Sequence, residues 1–108
     1  MTTFETLQTI GTTLGIPVCY SHFRKEDGDA PQQPPYLVYI GAGQDTFQAD
    51  DTHYWRRNRY RVEYYFKDKN EALETDLEDA LLGAGLLYEK SDDAFIESEG
   101  VFVIYYTI

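Results

Sequence analysis

The stretch Tyr54–Phe66, YWRRNRYRVEYYF, decides how this chain is read. At a period of two it places Tyr54, Arg56, Asn58, Tyr60, Val62, Tyr64 and Phe66 on one face. Trp55, Arg57, Arg59, Arg61, Glu63 and Tyr65 fall on the other. Aromatic and β-branched residues suit a pleated, half-buried surface, so Tyr60–Phe66 is expected as a strand. The N-terminal half carries four of the nine Lys and Arg residues of an otherwise acidic chain. A strand with a packed apolar end and a projecting basic end predicts a contact surface. Its candidate interface residues are Trp55, Arg56, Arg57, Arg59 and Arg61.

Upstream of this strand, Thr2 and Glu5 have the spacing of a capping box. Phe4, Leu7, Ile10 and Leu14 then line one helical face, with Gly15 as terminator. Gly11 weakens such a helix by roughly 1 kcal/mol relative to alanine, so the helix is expected to rely on packing. Ile16–Tyr20 reads as a short strand. The polar, Gly-, Pro- and Asp-rich run SHFRKEDGDAPQQPP reads as a surface loop of unusual length. Its His22, Arg24 and Lys25 are candidate partner-binding residues. Tyr36–Ile40 is expected as a second strand, GAGQD as a turn, and Thr46–Asp51 as a short edge strand or extended loop anchored by Phe47 and Ala49.

Downstream the period changes. Asp68 or Asn70 is placed to cap a helix whose first turn carries Glu71 and Glu74. Leu73, Leu77, Ala80, Leu81 and Ala84 form its predicted buried stripe, opposite Glu71, Glu74, Glu78 and Asp79. Glycines 83 and 85 stop it. Leu86–Lys90, Ala94–Glu97 and Val101–Ile108 read as strands, the last nearly continuous in apolar residues and therefore central. The order α-β-β-β-α-β-β fits a single α+β domain over residues 1–108. Two helices are expected to cover one face of an antiparallel or mixed sheet.

Length and charge bound what such a domain does. The 108 residues suffice for one core. A net charge of −10 argues against a general nucleic-acid binder, which needs Lys and Arg in excess to displace counterions. From Asp68 to Glu99 there are eleven acidic residues against Lys69 and Lys90. That acidic flank and the arginine ridge are complementary, as in a head-to-tail contact between copies; a solvated acidic surface is the simpler reading. The single cysteine, Cys19, excludes an internal disulfide and a cysteine-rich zinc site, and is expected as a buried inert thiol. There is no signal-peptide pattern and no apolar run of membrane-spanning length, so a protein made in a reducing cytoplasm is expected.

Constellations that carry chemistry are thin. His22 and His53 are the only histidines, and neither has metal-ligand spacing to a carboxylate or thiol. Ser21-His22 adjacency carries little weight, because triads depend on spatial geometry. GAGQD lacks the lysine and helix of a phosphate loop. Asp45, Asp50 and Asp51 do not match a calcium loop, and turn formation or capping explains them more simply. No catalytic residue, metal or cofactor is expected. For the arginines, edge protection, a salt-bridged subunit interface and contact with a nucleic-acid backbone are the three readings, ranked with the interface first.

The segments IPVCYSHFR, PPYLVYIGAGQDTFQADD and NRYRVEYYFKDKNEALETDLEDALLGAGLLYEKSDDAFIESEGVFVIYYTI resemble the small tail proteins encoded by tailed phages and prophages of Gram-positive bacteria. The IPV-x-Y-x-H-F opening, the PPY strand, the R-V-E-x-Y strand and the Y-E-K…I-E-S-E…V-x-Y ending carry the likeness from about Ile16 onward. Within that group the chain is similar to tail-completion or tail-terminator proteins, with head–tail joining proteins as neighbours. The RKEDGDAPQQ insertion departs from the pattern. The resemblance implies a non-catalytic virion protein that forms a ring of its own copies, commonly six. Such a ring caps the tail tube, meets the head-completion protein and lets DNA pass through its lumen. It implies assembly in the host cytoplasm and residence at the head-proximal end of the tail. A head–tail connector component is the alternative within this class, and a small ligand-binding or regulatory module the alternative outside it.

Overall fold

The computed structural model describes residues 2–21, 32–48 and 54–108. Helix α1 (Thr3–Leu14) leads into β1 (Val18–Tyr20), β2 (Tyr36–Gln48) and β3 (Tyr54–Phe66). Helix α2 (Glu71–Gly83) and strands β4 (Glu89–Lys90), β5 (Ala94–Ile96) and β6 (Val101–Thr107) follow. This is the expected α+β order; of the strand expected at Leu86–Lys90 only the two-residue β4 forms, ahead of the final pair. The mixed sheet runs β1-β2-β3-β6-β4, and β5 pairs with β6 beside β4. Only β1 and β2 are parallel; the other pairs are antiparallel.

Register explains the layers. Leu37 and Tyr39 of β2 stand opposite Tyr64 and Val62 of β3, which in turn oppose Ile104 and Tyr106 of β6. These six side chains share one face. They form the core with Leu7 and Ile10 of α1 and Leu77 and Leu81 of α2. Both helices therefore cover the same side of the sheet. β6 lies between β3 and the minor strands, and Ile104 and Tyr106 are fully buried there.

The helix ends follow their sequence signals. The Thr2 hydroxyl accepts from the Glu5 amide and donates to its carboxylate, and Gly15 closes α1 at φ 73°. For α2 the cap is Asn70, whose side-chain oxygen accepts from the Leu73 amide. Asp68 is not the cap. Within α1 Phe4 is 42% exposed, and the buried positions are Leu7, Ile10 and Gly11.

Three local expectations are corrected. GAGQD is not a turn: β2 runs through it, and the register with β3 shifts between Gly41 and Gln44. Gly43, at φ 96°, accommodates an extra residue as a bulge where a side chain would strain the backbone. Phe47 does not anchor to the core; it is 59% exposed. Glu74, placed on the outer face of α2 by its helical spacing, is only 2% exposed. The Lys69 and Lys90 ammonium groups, each 3.0 Å from its Oε1, reach over the helix and neutralise it. Cys19 is half-buried on the open face of the sheet, and burial pushes its thiol up to about 11. No described helix is long and apolar enough to cross a membrane.

Candidate assembly interface

Strands β2 and β3 are both 13 residues long, but their neighbours are shorter. β1 accompanies β2 only from Leu37 to Tyr39, and β6 accompanies β3 no further than Arg61, apart from the Tyr60–Ile108 backbone pair. From Gly41/Tyr60 to Gln48/Tyr54 the two strands therefore run on as a two-stranded arm. Six residues at the usual strand rise make it roughly 20 Å long. The chain's radius of gyration, 15.6 Å, exceeds the roughly 13 Å expected for a compact domain of this length.

The bulge at Gly43 sets which side chains meet on the arm. After it, Asp45 opposes Arg57 and Phe47 opposes Trp55. Alternation along β3 adds Arg59 to that face. Phe47 and Trp55, at 59% and 62% exposure, thus form a solvent-facing aromatic pair with arginines beside it. Arg56 points to the opposite face with Gln44 and Asn58, whose amides are hydrogen-bonded at 2.8 Å.

The four arginines expected to act together are held differently. Arg59 is fixed: its Nη1 lies 3.0 Å from Asp45 and its Nε donates to the Ile108 carbonyl at 2.8 Å. Arg61 belongs to the sheet proper. Its Nε meets Glu63 at 3.0 Å, and its guanidinium lies 5.4 Å from the centre of the Tyr105 ring. Arg56 and Arg57 are exposed and pair with no acidic side chain among the described residues. Among the described residues the ridge therefore resolves into two anchoring arginines and two exposed ones without an acidic partner. The candidate loop residues His22, Arg24 and Lys25 lie outside the described residues, as do His53, Asp50 and Asp51.

A second charged cluster sits on the acidic flank. Lys90 bridges Glu74 and Glu78, Lys69 bridges Glu74 and Asp93, and the Tyr106 and Tyr88 hydroxyls donate to Glu78. Burial would raise the Glu78 carboxyl, but the hydrogen bonds from Tyr106 and Lys90 outweigh it and hold the group below its usual range. Its three carboxylates outnumber its two ammonium groups by one charge, and the cluster ties α2 to β4 and β6. A nearby cleft of about 300 Å³ is lined by Pro34, Pro35, Tyr64, Phe66, Lys69 and Leu73. Lys67, Asp68 and Asn70 complete the lining, and of the two lysines Lys69 is engaged by Glu74 and Asp93.

Two features of the interface were hard to see from spacing alone. Phe47 joins Trp55 only because the bulge reverses the alternation of β2. Leu82 is 48% exposed and Leu87 73% exposed, at the far end of α2. The sequence signal for Leu82 was its position off the predicted buried stripe. No protein-family model and no curated protein sequence matches the chain.

Proposed function

We propose that this protein is a non-catalytic structural component of a phage tail. In this reading it is a completion or terminator protein that joins copies of itself into a ring, caps the tail tube and docks the head. The observation that carries the reading is the arm. A two-stranded ribbon is marginally stable alone in water, yet this one presents an exposed aromatic pair and, at its flank, an exposed arginine with no acidic partner among the described residues. Exposed aromatic and arginine side chains are characteristic anchors of protein interfaces. The likeness of the chain to small phage tail proteins supplies the identity of the assembly, and the charge of −10 suits a lumen that lets DNA slide without gripping it.

The test is sedimentation velocity and negative-stain imaging of the purified protein, alone and mixed with tail-tube protein. Rings in solution or at tube ends are expected. A protein that stays monomeric over a wide concentration range and ignores tube ends overturns the reading. Rings that bind the head-completion protein but not the tube move the assignment to a head–tail connector.

A further inference from the structure

Among the described residues, five aromatic or leucine side chains outside the arm are strongly exposed, and three of them have internal company. Phe4 and Tyr20 lie 5.8 Å apart between ring centres, and Phe95 lies 4.9 Å from Phe102. Leu82 and Leu87 are the exception. Backbone bonds from Gly85 to the Leu82 carbonyl and from Leu86 to the Leu81 carbonyl fold this segment against the last turn of α2. There the two leucines stand at the negative end of the helix.

Residues three apart on a helix are surface neighbours, so Asp76, Asp79 and Leu82 form a line along the outward face of α2. Both aspartates are exposed, and no described ion pair includes either of them. The last turn of α2 also contains no basic residue. No basic side chain of α2 thus offsets the negative end of its dipole, although the Ala80, Leu81 and Leu82 carbonyls accept from the amides of Ala84, Gly85 and Leu86. The arm has the complementary arrangement, with Phe47 and Trp55 beside Arg57, which is exposed and has no acidic partner among the described residues.

Resting on the assembly reading above, we propose that the arm of one copy docks on the outer face of α2 in the next. Phe47 and Trp55 cover Leu82 and Leu87. Arg57 approaches Asp79 at the negative end of the helix dipole. The two surfaces are different parts of the molecule, so the contact is heterologous, and successive copies close into a ring when the rotation per copy allows it. The acidic hairpin at Glu97 and Glu99 is the other acidic surface within reach of such an arm. Its aromatic residue, Phe95, is 56% exposed but stands as one side chain against the two leucines, Leu82 and Leu87.

A charge exchange read by sedimentation velocity, with tube ends as a second substrate, tests the docking. Arg57→Glu and Asp79→Arg should each raise the concentration needed for assembly by roughly tenfold, as close charge reversal does at an interface. Combining them should bring that concentration back towards the unmodified protein's. Glu97→Arg, the same charge change at the wrong place, should not rescue Arg57→Glu. Leu82→Ser should weaken assembly as Trp55→Ala does. If the arm variants block assembly while Asp79→Arg and Leu82→Ser do not, the arm docks elsewhere and the α2 site is overturned, with the ring reading intact. If the unmodified protein assembles neither alone nor at tube ends, the ring reading fails and takes the docking with it.

Discussion

Gly11 is the residue on which α1 and β1 meet. A Cβ there would lie 2.6 Å from the Val18 Cβ and closer still to its Cγ1. By propensity alone, Gly11→Ala should stabilise the helix by about 1 kcal/mol. Overpacking of this kind costs about 1–3 kcal/mol, and here the contact falls on a branched carbon close to the backbone, which cannot swing away. The expected net effect of Gly11→Ala is a loss of up to about 2 kcal/mol, checked by urea unfolding; a raised midpoint would show that α1 can shift from β1. The sequence marked Gly11 as a weak point in a helix. It could not show why the weakness is tolerated, because the reason is Val18, brought there by the turn at Gly15.

The buried tyrosines give a second residue-level expectation. Burial pushes the Tyr64 phenol up from 10.0 to about 12, with the Glu74 carboxylate adding to the effect and Lys69 opposing it. Tyr106 is raised in the same direction by burial and by its hydrogen bond to Glu78. A phenol held neutral by the fold contributes stability that is fully present below its unfolded value. The contribution is lost as pH rises through that value towards the folded one. Stability should therefore decline from about pH 10 upward. Phenolate absorbance should show Tyr64 and Tyr106 ionising in one cooperative step with loss of the far-ultraviolet helix signal. Smooth ionisation of all ten tyrosines with the fold intact would contradict this burial.

Among the elements, β3 was the most legible. Its alternation of large apolar residues at Tyr60, Val62, Tyr64 and Phe66 matches the face that Leu77 and Leu81 cover. β2 was half legible. Tyr36–Ile40 carries a clear strand pattern, but Gly41–Asp45 reads as a turn because a bulge and a turn use the same residues. Pairing with β3, thirteen residues long, is what keeps the chain extended there. Glu74 was misplaced for a related reason: helical spacing fixes its direction but not the two lysines that arrive from Lys69 and Lys90. The arm follows from these lengths, and it should be the least protected strand pair in the free protein. Amide exchange at residues 44–48 and 54–58 should be fast beside that of Val62–Phe66 and Val103–Tyr106, and should slow on assembly. Trp55 is the chain's one tryptophan, so its emission reports the same event: solvent-like in the protomer, blue-shifted in the assembled state. Protection of the arm in a monomer would mean that it folds back on its own chain.

At the scale of the whole molecule, charge decides the conditions under which copies meet. Each carries −10, and the middle dimension of the protomer is 33 Å. Treated as point charges in water at that separation, two copies repel by about 4 kcal/mol at about 0.01 M salt and only about 0.5 kcal/mol at about 0.1 M, because the screening length falls from about 30 Å to about 10 Å. The attraction between Arg57 and the acidic face of α2 acts at contact distance. An exposed pair of that kind is worth about 1 kcal/mol or less, so screening removes less attraction than repulsion. Assembly should therefore strengthen as salt rises from about 0.01 M to about 0.15 M. At higher salt it should level off, with the apolar contact of Phe47 and Trp55 carrying what remains. A protein that gathers through nucleic acid behaves in the opposite sense, losing affinity steadily with salt. Sedimentation at a series of sodium chloride concentrations separates the two. Steady weakening from the lowest salt upward would mean that an electrostatic attraction larger than the Arg57 contact drives association, and would count against the arm as the principal joint.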